Sequence, residues 1–243
     1  MKRHWKKIVG ALVVVIALVV GGSWFYAKVI NKAPAKSSTT DLANALDKPV
    51  PPTDSGPSTT AANTPPRAAN DLTGVWRAVS TSLIRYRVDE SINGFASTAV
   101  GGTNKITGNV TIEGKQVRAA GFTVDTTSFS SGESRRDEQF RGRVMEVAKF
   151  PTATFNITTP IEFAPVPADG KTAQVAATGD LTLHGTTKPV TFDLVAMRKN
   201  GKIGVLGTIP ILFADYGIPN PSFATISTKD HGDLEFIIVL QQS

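Results

Sequence analysis

The chain contains no cysteine. That absence removes disulfide scaffolds, thiolate zinc sites, iron–sulfur clusters and cysteine nucleophiles together. Histidine is nearly missing too: only His4, His184 and His231 occur, which argues against an imidazole-rich metal site. There is no Gly-x-Ser-x-Gly elbow and no His-Glu-x-x-His motif, so two common hydrolase signatures are absent. Acidic residues are missing from positions 1–30, which carry Lys2, Arg3, Lys6, Lys7 and Lys28. Residues 31–72 balance four basic against four acidic side chains, so of the net charge of +6 only +1 falls on residues 73–243. Basicity confined to one end is not the footprint of nucleic-acid binding.

What is present divides the chain of 243 residues into three parts. A basic stub, Lys2-Arg3-His4-Trp5-Lys6-Lys7, precedes an apolar run over residues 8–27 interrupted only by glycines and Ser23. Twenty such residues in a helix reach about 30 Å, the thickness of a bilayer's hydrocarbon core. Trp5 on one flank and Trp24, Phe25 and Tyr26 on the other suit its two interfaces. Residues 1–30 are therefore expected to form a cytoplasmic stub and an uncleaved signal-anchor helix, with the remainder extracytoplasmic. A cleaved signal peptide, with Gly21-Gly22-Ser23 as a weak cleavage site, is the competing reading.

Residues 31–72 form the second part, rich in Pro, Ser, Thr and Ala. Pro34, Pro49, Pro51, Pro52, Pro57, Pro65 and Pro66 lie here and no aromatic residue does. A segment so poor in apolar surface is expected to be a disordered linker, with Leu42 and Leu46 spaced for one transient helical turn. It would tether the third part, residues 73–243, through an envelope layer.

In that third part apolar residues alternate with polar ones between turn signals. Ile84, Tyr86 and Val88 do so, as do Ile106, Val110 and Ile112, then Leu181 and Leu183, then Val190, Phe192 and Leu194. Ile203, Val205 and Ile209 follow, then Leu234, Phe236, Ile238 and Leu240. With runs near 121–129 and 153–163 this predicts about eight strands. Ser134, Asp137, Phe140, Val144 and Val147 predict one short helix capped at Ser134. Eight antiparallel strands with one apolar face predict an all-β, closed barrel. Small residues at the expected inner positions, Gly108, Ala177, Gly179 and Gly207, and aromatics at only 7% favour a cavity over a filled interior. A bulge at Ala120-Gly121 would invert inside and outside beyond it.

Four motifs give the third part a family resemblance. They are Ser134-Arg135-Arg136-Asp137-Glu138-Gln139-Phe140 and Lys149-Phe150-Pro151-Thr152-Ala153-Thr154-Phe155, then Gly179-Asp180-Leu181-Thr182-Leu183-His184-Gly185-Thr186-Thr187-Lys188-Pro189-Val190, and Ala214-Asp215-Tyr216-Gly217-Ile218. In this order and spacing, over about residues 74–241, they resemble the YceI-like family of bacterial lipid-binding proteins. The resemblance implies a lipocalin-like barrel with a helix near its mouth, binding a polyisoprenoid, quinone-like or other long-chain lipid. No recognisable nucleophile–base pair and no metal-ligand spacing occur in the sequence, so neither catalysis nor a metal is expected, and no cofactor beyond the lipid. One departure is Leu212-Phe213-Ala214, where family members often carry a basic residue.

The residues expected to line such a cavity are Ile106, Val110, Ile112, Phe122, Val124, Phe155, Ile157, Leu181, Leu183, Phe192, Leu194, Val205, Ile209, Phe236 and Ile238. Other signals read as structural. Arg136 is expected in an ion pair, Asp137 at the helix start, and His184 and His231 as exposed turn residues. Arg135, Arg136, Arg141 and Arg143 read as a solvated helix face. The alternative function is a non-enzymatic interaction module of the cell envelope built on a solidly packed barrel.

Overall fold

The alternating segments pair into a single antiparallel sheet that closes on itself. In this computed structural model the described residues are 33–50, 71–163 and 166–243, with Gly21, Gly22 and Phe25. Apart from those three glycine and phenylalanine positions, the expected membrane span lies outside the described residues, as do 31–32 and 51–70 of the expected linker. Among the described residues no helix is long and apolar enough to cross a membrane.

The strands are β1 (Gly74–Ala78), β2 (Leu83–Ile92), β3 (Phe95–Thr103), β4 (Ile106–Glu113), β5 (Gln116–Asp125) and β6 (Thr152–Ile157). They continue with β7 (Ile161–Glu162), β8 (Thr172–Leu183), β9 (Thr186–Lys199), β10 (Lys202–Leu212), β11 (Ile226–Thr228) and β12 (His231–Gln242). Neighbours run β1-β4-β5-β6-β8-β9-β10-β12, and β1 pairs with β12 to close the ring. β1 and β2 share one edge of β12, so they are two halves of one broken barrel strand. β3 and β4 continue one another in the same way, as do β6 and β7 along β5. The result is an eight-stranded barrel, which leaves few sheet edges exposed.

The break between β1 and β2 is stitched by a side chain. Ser82 Oγ donates to Val239 O at 3.2 Å and lies 3.0 Å from the Val239 N–H, which it accepts. A buried hydroxyl thus stands in for the missing ladder partner. The bulge sits two residues before its expected place. Thr111 pairs with Ala119 and Ile112 with Val117, leaving Arg118 as the extra residue. Because the inversion occurs at Arg118, Val117 on one side of it and Phe122 and Val124 on the other all face inward.

Two sequence-based expectations are corrected. The first is the single helix. Among the described residues from 33 onward there are two α-helices, α1 (Thr39–Asp47), which falls in the expected linker, and α2 (Ser134–Gln139), besides 3-10 turns at Thr126–Ser128 and Phe213–Tyr216. α2 is capped by Glu133 rather than Ser134, and it runs into a π turn, Phe140–Val144, closed by Met145 N–H donating to Phe140 O at 2.8 Å. The shift from α to π explains why the spacing of Phe140, Val144 and Val147 read as one longer helix.

The second correction is the linker. Residues 33–50 are ordered, and α1 lies on the outer face of the barrel. Ser38 and Asp41 form a reciprocal capping box, with Asp41 N–H donating to Ser38 Oγ and Ser38 N–H to Asp41 Oδ2. Leu42 and Leu46, four residues apart, are both fully buried against Met197, Leu206, Ile237 and Val239. Each leucine so buried contributes about 2 kcal/mol, enough to hold a short helix that would not persist alone.

Candidate functional site

The inward faces of all the barrel strands meet in one cavity of about 880 Å³. Its middle is lined almost wholly by aliphatic and aromatic side chains, among them Val110, Phe122, Leu181, Phe192, Ile209 and Ile238. All the residues expected from the sequence to line the cavity do so except Ile106, which is buried in the surrounding core. Ile106 opens β4 beside the corner at Asn104, where its neighbours pack against it and the lumen does not reach. The lumen is not filled with side chains.

The inner glycines do not supply the empty volume in the expected way. Each is the seat of an aromatic ring. A Cβ at Gly101 would stand 2.6 Å from the Tyr86 ring, one at Gly179 would stand 2.6 Å from Phe155, and one at Gly108 2.7 Å from Phe122. Gly108 and Phe122 are direct cross-strand partners, as are Gly101 and Tyr86. The rings therefore lie along the wall instead of projecting across the lumen, and the lumen stays open.

One end of the barrel carries the longer connections, and these form the mouth. Over it fold α2 with its π turn, the segment 213–228 and the far end of the β2–β3 hairpin. Tyr86, Phe129 and Phe140 stack there, with ring centroids 5.0 Å apart for Tyr86 and Phe140 and 5.2 Å for Phe129 and Phe140. Tyr86 and Phe140 are residues that sequence reasoning missed. The alternation of Ile84, Tyr86 and Val88 contained the signal for Tyr86, but Phe140 enters through the helix and no strand periodicity points to it. Burial pushes the Tyr86 hydroxyl up to about 12.

Polar groups are confined to the ends of the cavity. Glu90 and Arg136 line the mouth and form an ion pair, Nη2 to Oε1 at 3.3 Å, as expected for Arg136. Asp137 anchors α2 from behind, accepting from Ser131 N–H at 2.8 Å, Ser131 Oγ at 2.6 Å and Ser130 Oγ at 2.9 Å. Burial works to raise its pKa, but those hydrogen bonds and the charge of Arg141 outweigh it, and the carboxyl is held below its ordinary value. Arg143 is more than a solvated charge: its guanidinium donates to the carbonyls of Asn220, Pro221 and Ser222, tying the π turn that follows α2 to the opposite lip of the mouth.

His231 is exposed as expected, although it opens β12 instead of lying in a turn, but His184 is not exposed. Its side chain is 8% exposed, with Nε2 2.9 Å from Glu146 Oε2 and Nδ1 3.3 Å from Tyr216 O. The left-handed backbone at His184, with φ of 48°, turns the ring onto Phe150, 4.5 Å between centroids. It joins three connections at the mouth end. Among the described residues no group of three or more His, Cys, Asp or Glu is placed to hold a metal ion.

A closed antiparallel barrel around an apolar cavity, with a short helix at its mouth, defines a lipocalin-like barrel architecture. Comparison with known proteins places it further. The YceI-like domain matches residues 78–240, and this chain belongs to that family. A UPF0312 protein of Pseudomonas putida strain W619 is 36% identical over 155 residues, covering 59% of this chain and 76% of its own length. A UPF0312 protein of Vibrio campbellii is 34% identical over 103 residues, covering 40% of this chain and 51% of its own length. The chain thus spans about half the length of that Vibrio relative. Among solved structures, a polyisoprenoid binding domain from Saccharophagus degradans implicated in plant cell wall breakdown matches with a TM-score of 0.57 at 20% identity, covering 70% of this chain and 99% of that one. BcnA of Burkholderia cenocepacia matches with a TM-score of 0.51 at 21% identity, covering 65% and 95%. These two likenesses are of fold.

Proposed function

We propose that this protein is a non-enzymatic lipid carrier that holds a long-chain apolar lipid, of isoprenoid or quinone type, inside the barrel. The observation that carries the reading is the cavity itself: about 880 Å³ of open lumen with an aliphatic and aromatic wall and charges only at its ends. That size falls within the range of small-molecule sites. Each CH₂ moved from water into such a wall contributes about 0.8 kcal/mol, so ten carbons give roughly 8 kcal/mol before ordering costs. Affinity then depends on chain length and girth, and the polar mouth around Glu90 and Arg136 suits a headgroup. The solved polyisoprenoid binding domain of the same fold supports an isoprenoid as the first candidate.

In this reading residues 8–27 anchor the protein in the membrane of the bacterial cell envelope, and the basic stub keeps the N-terminus cytoplasmic. The barrel is then extracytoplasmic and acts on lipid at the outer surface of that membrane.

Native mass spectrometry of the full-length protein, released from its host membranes in mild detergent, tests this. A bound species of several hundred daltons that extracts into organic solvent is the expected result. A bare polypeptide mass that stays bare after incubation with long-chain isoprenoid alcohols and quinones would overturn it.

A further inference from the structure

The ordered stretch 33–48 runs down the outside of the barrel from the mouth end to the opposite end, and it is fastened along its whole length. At the mouth end Arg87 Nη2 donates to Pro34 O at 2.8 Å, and Lys36 Nζ reaches Asp233 Oδ2 at 2.7 Å. In the middle, Leu42 and Leu46 fill the outer face over Gly204, where an added Cβ would stand 2.6 Å from Leu42 Cδ1. At the opposite end Lys199 and Asn200 hold Asp47, while Lys202 Nζ donates to the carbonyls of Leu46 and Lys48. The direction of this strap is therefore fixed: the chain arrives at the mouth and descends away from it.

Direction matters because of what precedes it. Only six residues, 28–33, separate the apolar run from Pro34. Even fully extended they reach about 20 Å. A free linker of 31–72 would let the barrel present any face to the membrane; a strap docked from Pro34 onward does not. The mouth is the end held near the bilayer, and the turns at 114 and 200 lie a strand's length farther away. The mouth also carries the apolar surface such a position calls for. Phe223 is 60% exposed at its lip and Leu212 is 43% exposed where β10 ends.

We propose that the strap docks the mouth of the barrel onto the lipid bilayer that carries the N-terminal run, with Phe223 and Leu212 meeting its interface, so that lipid exchanges between bilayer and cavity without passing through water. The proposal rests on the membrane-anchor reading given above. Bilayer interfaces favour aromatic and aliphatic side chains exposed in this way, and a rim seated there shortens the aqueous path for an apolar chain.

The lack of cysteine makes the test direct. Phe223→Cys at the mouth and Val75→Cys, exposed at the other end, are each labelled with an environment-sensitive fluorophore in the full-length protein. Both are reconstituted into vesicles of phosphatidylethanolamine and phosphatidylglycerol containing nitroxide-labelled lipid. The expected result is several-fold stronger quenching at position 223 than at 75. Adding Leu42→Asp, or independently Gly204→Phe, releases the strap and brings the two positions to similar quenching. Equal quenching with the strap intact, or no quenching at 223 while the protein still floats with the vesicles, overturns the docking and leaves the anchor standing. A protein that does not float with vesicles at all overturns the anchor and the docking together.

Discussion

Gly207 on β10 and Phe236 on β12 are direct cross-strand partners, and the phenyl ring lies where a Cβ of residue 207 would be. Phe236 in turn meets Phe192 edge-on, with centroids 5.6 Å apart, and Phe192 meets Phe155 at 5.5 Å. The glycine lets the first ring lie flat, and that sets the position of the next two. Replacing Gly207 with valine should push Phe236 off the wall and into the lumen. The expected cost is that of overpacking, about 1–3 kcal/mol, read as a lower melting temperature. Uptake of an apolar fluorescent probe should fall by more than stability alone explains, because the displaced ring occupies the site. Unchanged uptake in a folded Gly207→Val variant would mean that the lumen near β10 does not take part in binding.

Arg87 and Glu235 face outward from the barrel wall, yet their side chains are only 10% and 1% exposed, because the strap covers them. Removing one partner leaves a buried charge unmatched. Arg87→Met should therefore destabilise by about 3–5 kcal/mol, while the double variant Arg87→Met/Glu235→Leu should recover most of that loss. Chemical denaturation of the single and double variants measures both. A double variant as unstable as the single would show that the loss lies in the contact of Arg87 with Pro34 O and not in the stranded carboxylate.

The strap shows where the sequence could and could not be read. The barrel was legible because a strand with one wet face must alternate, and its inward residues announce themselves. β12 carried a second message. Ile237 and Val239 make Ile237-Ile238-Val239-Leu240 a continuous apolar run, which marks a strand buried on both faces. Something had to cover the outer face, and the Ser38–Asp41 capping box with Leu42 and Leu46 was the matching element. Composition concealed it, since two leucines among prolines and threonines cannot offset their own ordering and only the barrel's outer patch makes the helix stable. The glycine seats were illegible for a different reason. Which glycine faces which ring depends on register across strands distant in sequence, and the period within one strand says nothing about it.

Tyr86 gives a handle on the mouth. Its hydroxyl is pushed up to about 12 chiefly by burial. A folded pKa above the unfolded value means that the native state holds the proton more tightly. The stability this contributes is complete below about 10 and is lost as pH rises from there through 12. Comparing tyrosinate absorbance of the native protein with that of Tyr86→Phe should show almost no contribution from Tyr86 until the upper end of that window. Ionisation of Tyr86 near 10 would mean that water reaches it, and that the stack with Phe129 and Phe140 opens in solution.

Asp137 works in the opposite sense and at the opposite end of the pH scale. Its carboxyl lies below its ordinary value of 3.8, because the hydrogen bonds from Ser131 and Ser130 favour the charged form more than burial disfavours it. A depressed folded pKa means that the unfolded chain binds the proton more readily. The stabilisation is therefore complete above the unfolded value near 3.8 and is lost as pH falls through the lower folded value. Asp137→Asn removes that dependence and, at neutral pH, should cost about 1–3 kcal/mol, since one oxygen is replaced by a donor facing groups that also donate. The exposed carboxylates Asp41 and Asp47 are lowered as well, so the informative quantity is the difference between native and variant stability across acid pH. That difference should shrink as pH falls. With α2 loosened, amide exchange in Ser134–Gln139 should quicken in the variant at neutral pH while the strands opposite the mouth stay protected. Equal loss of protection throughout the barrel would make Asp137 a support of the whole fold rather than of its mouth.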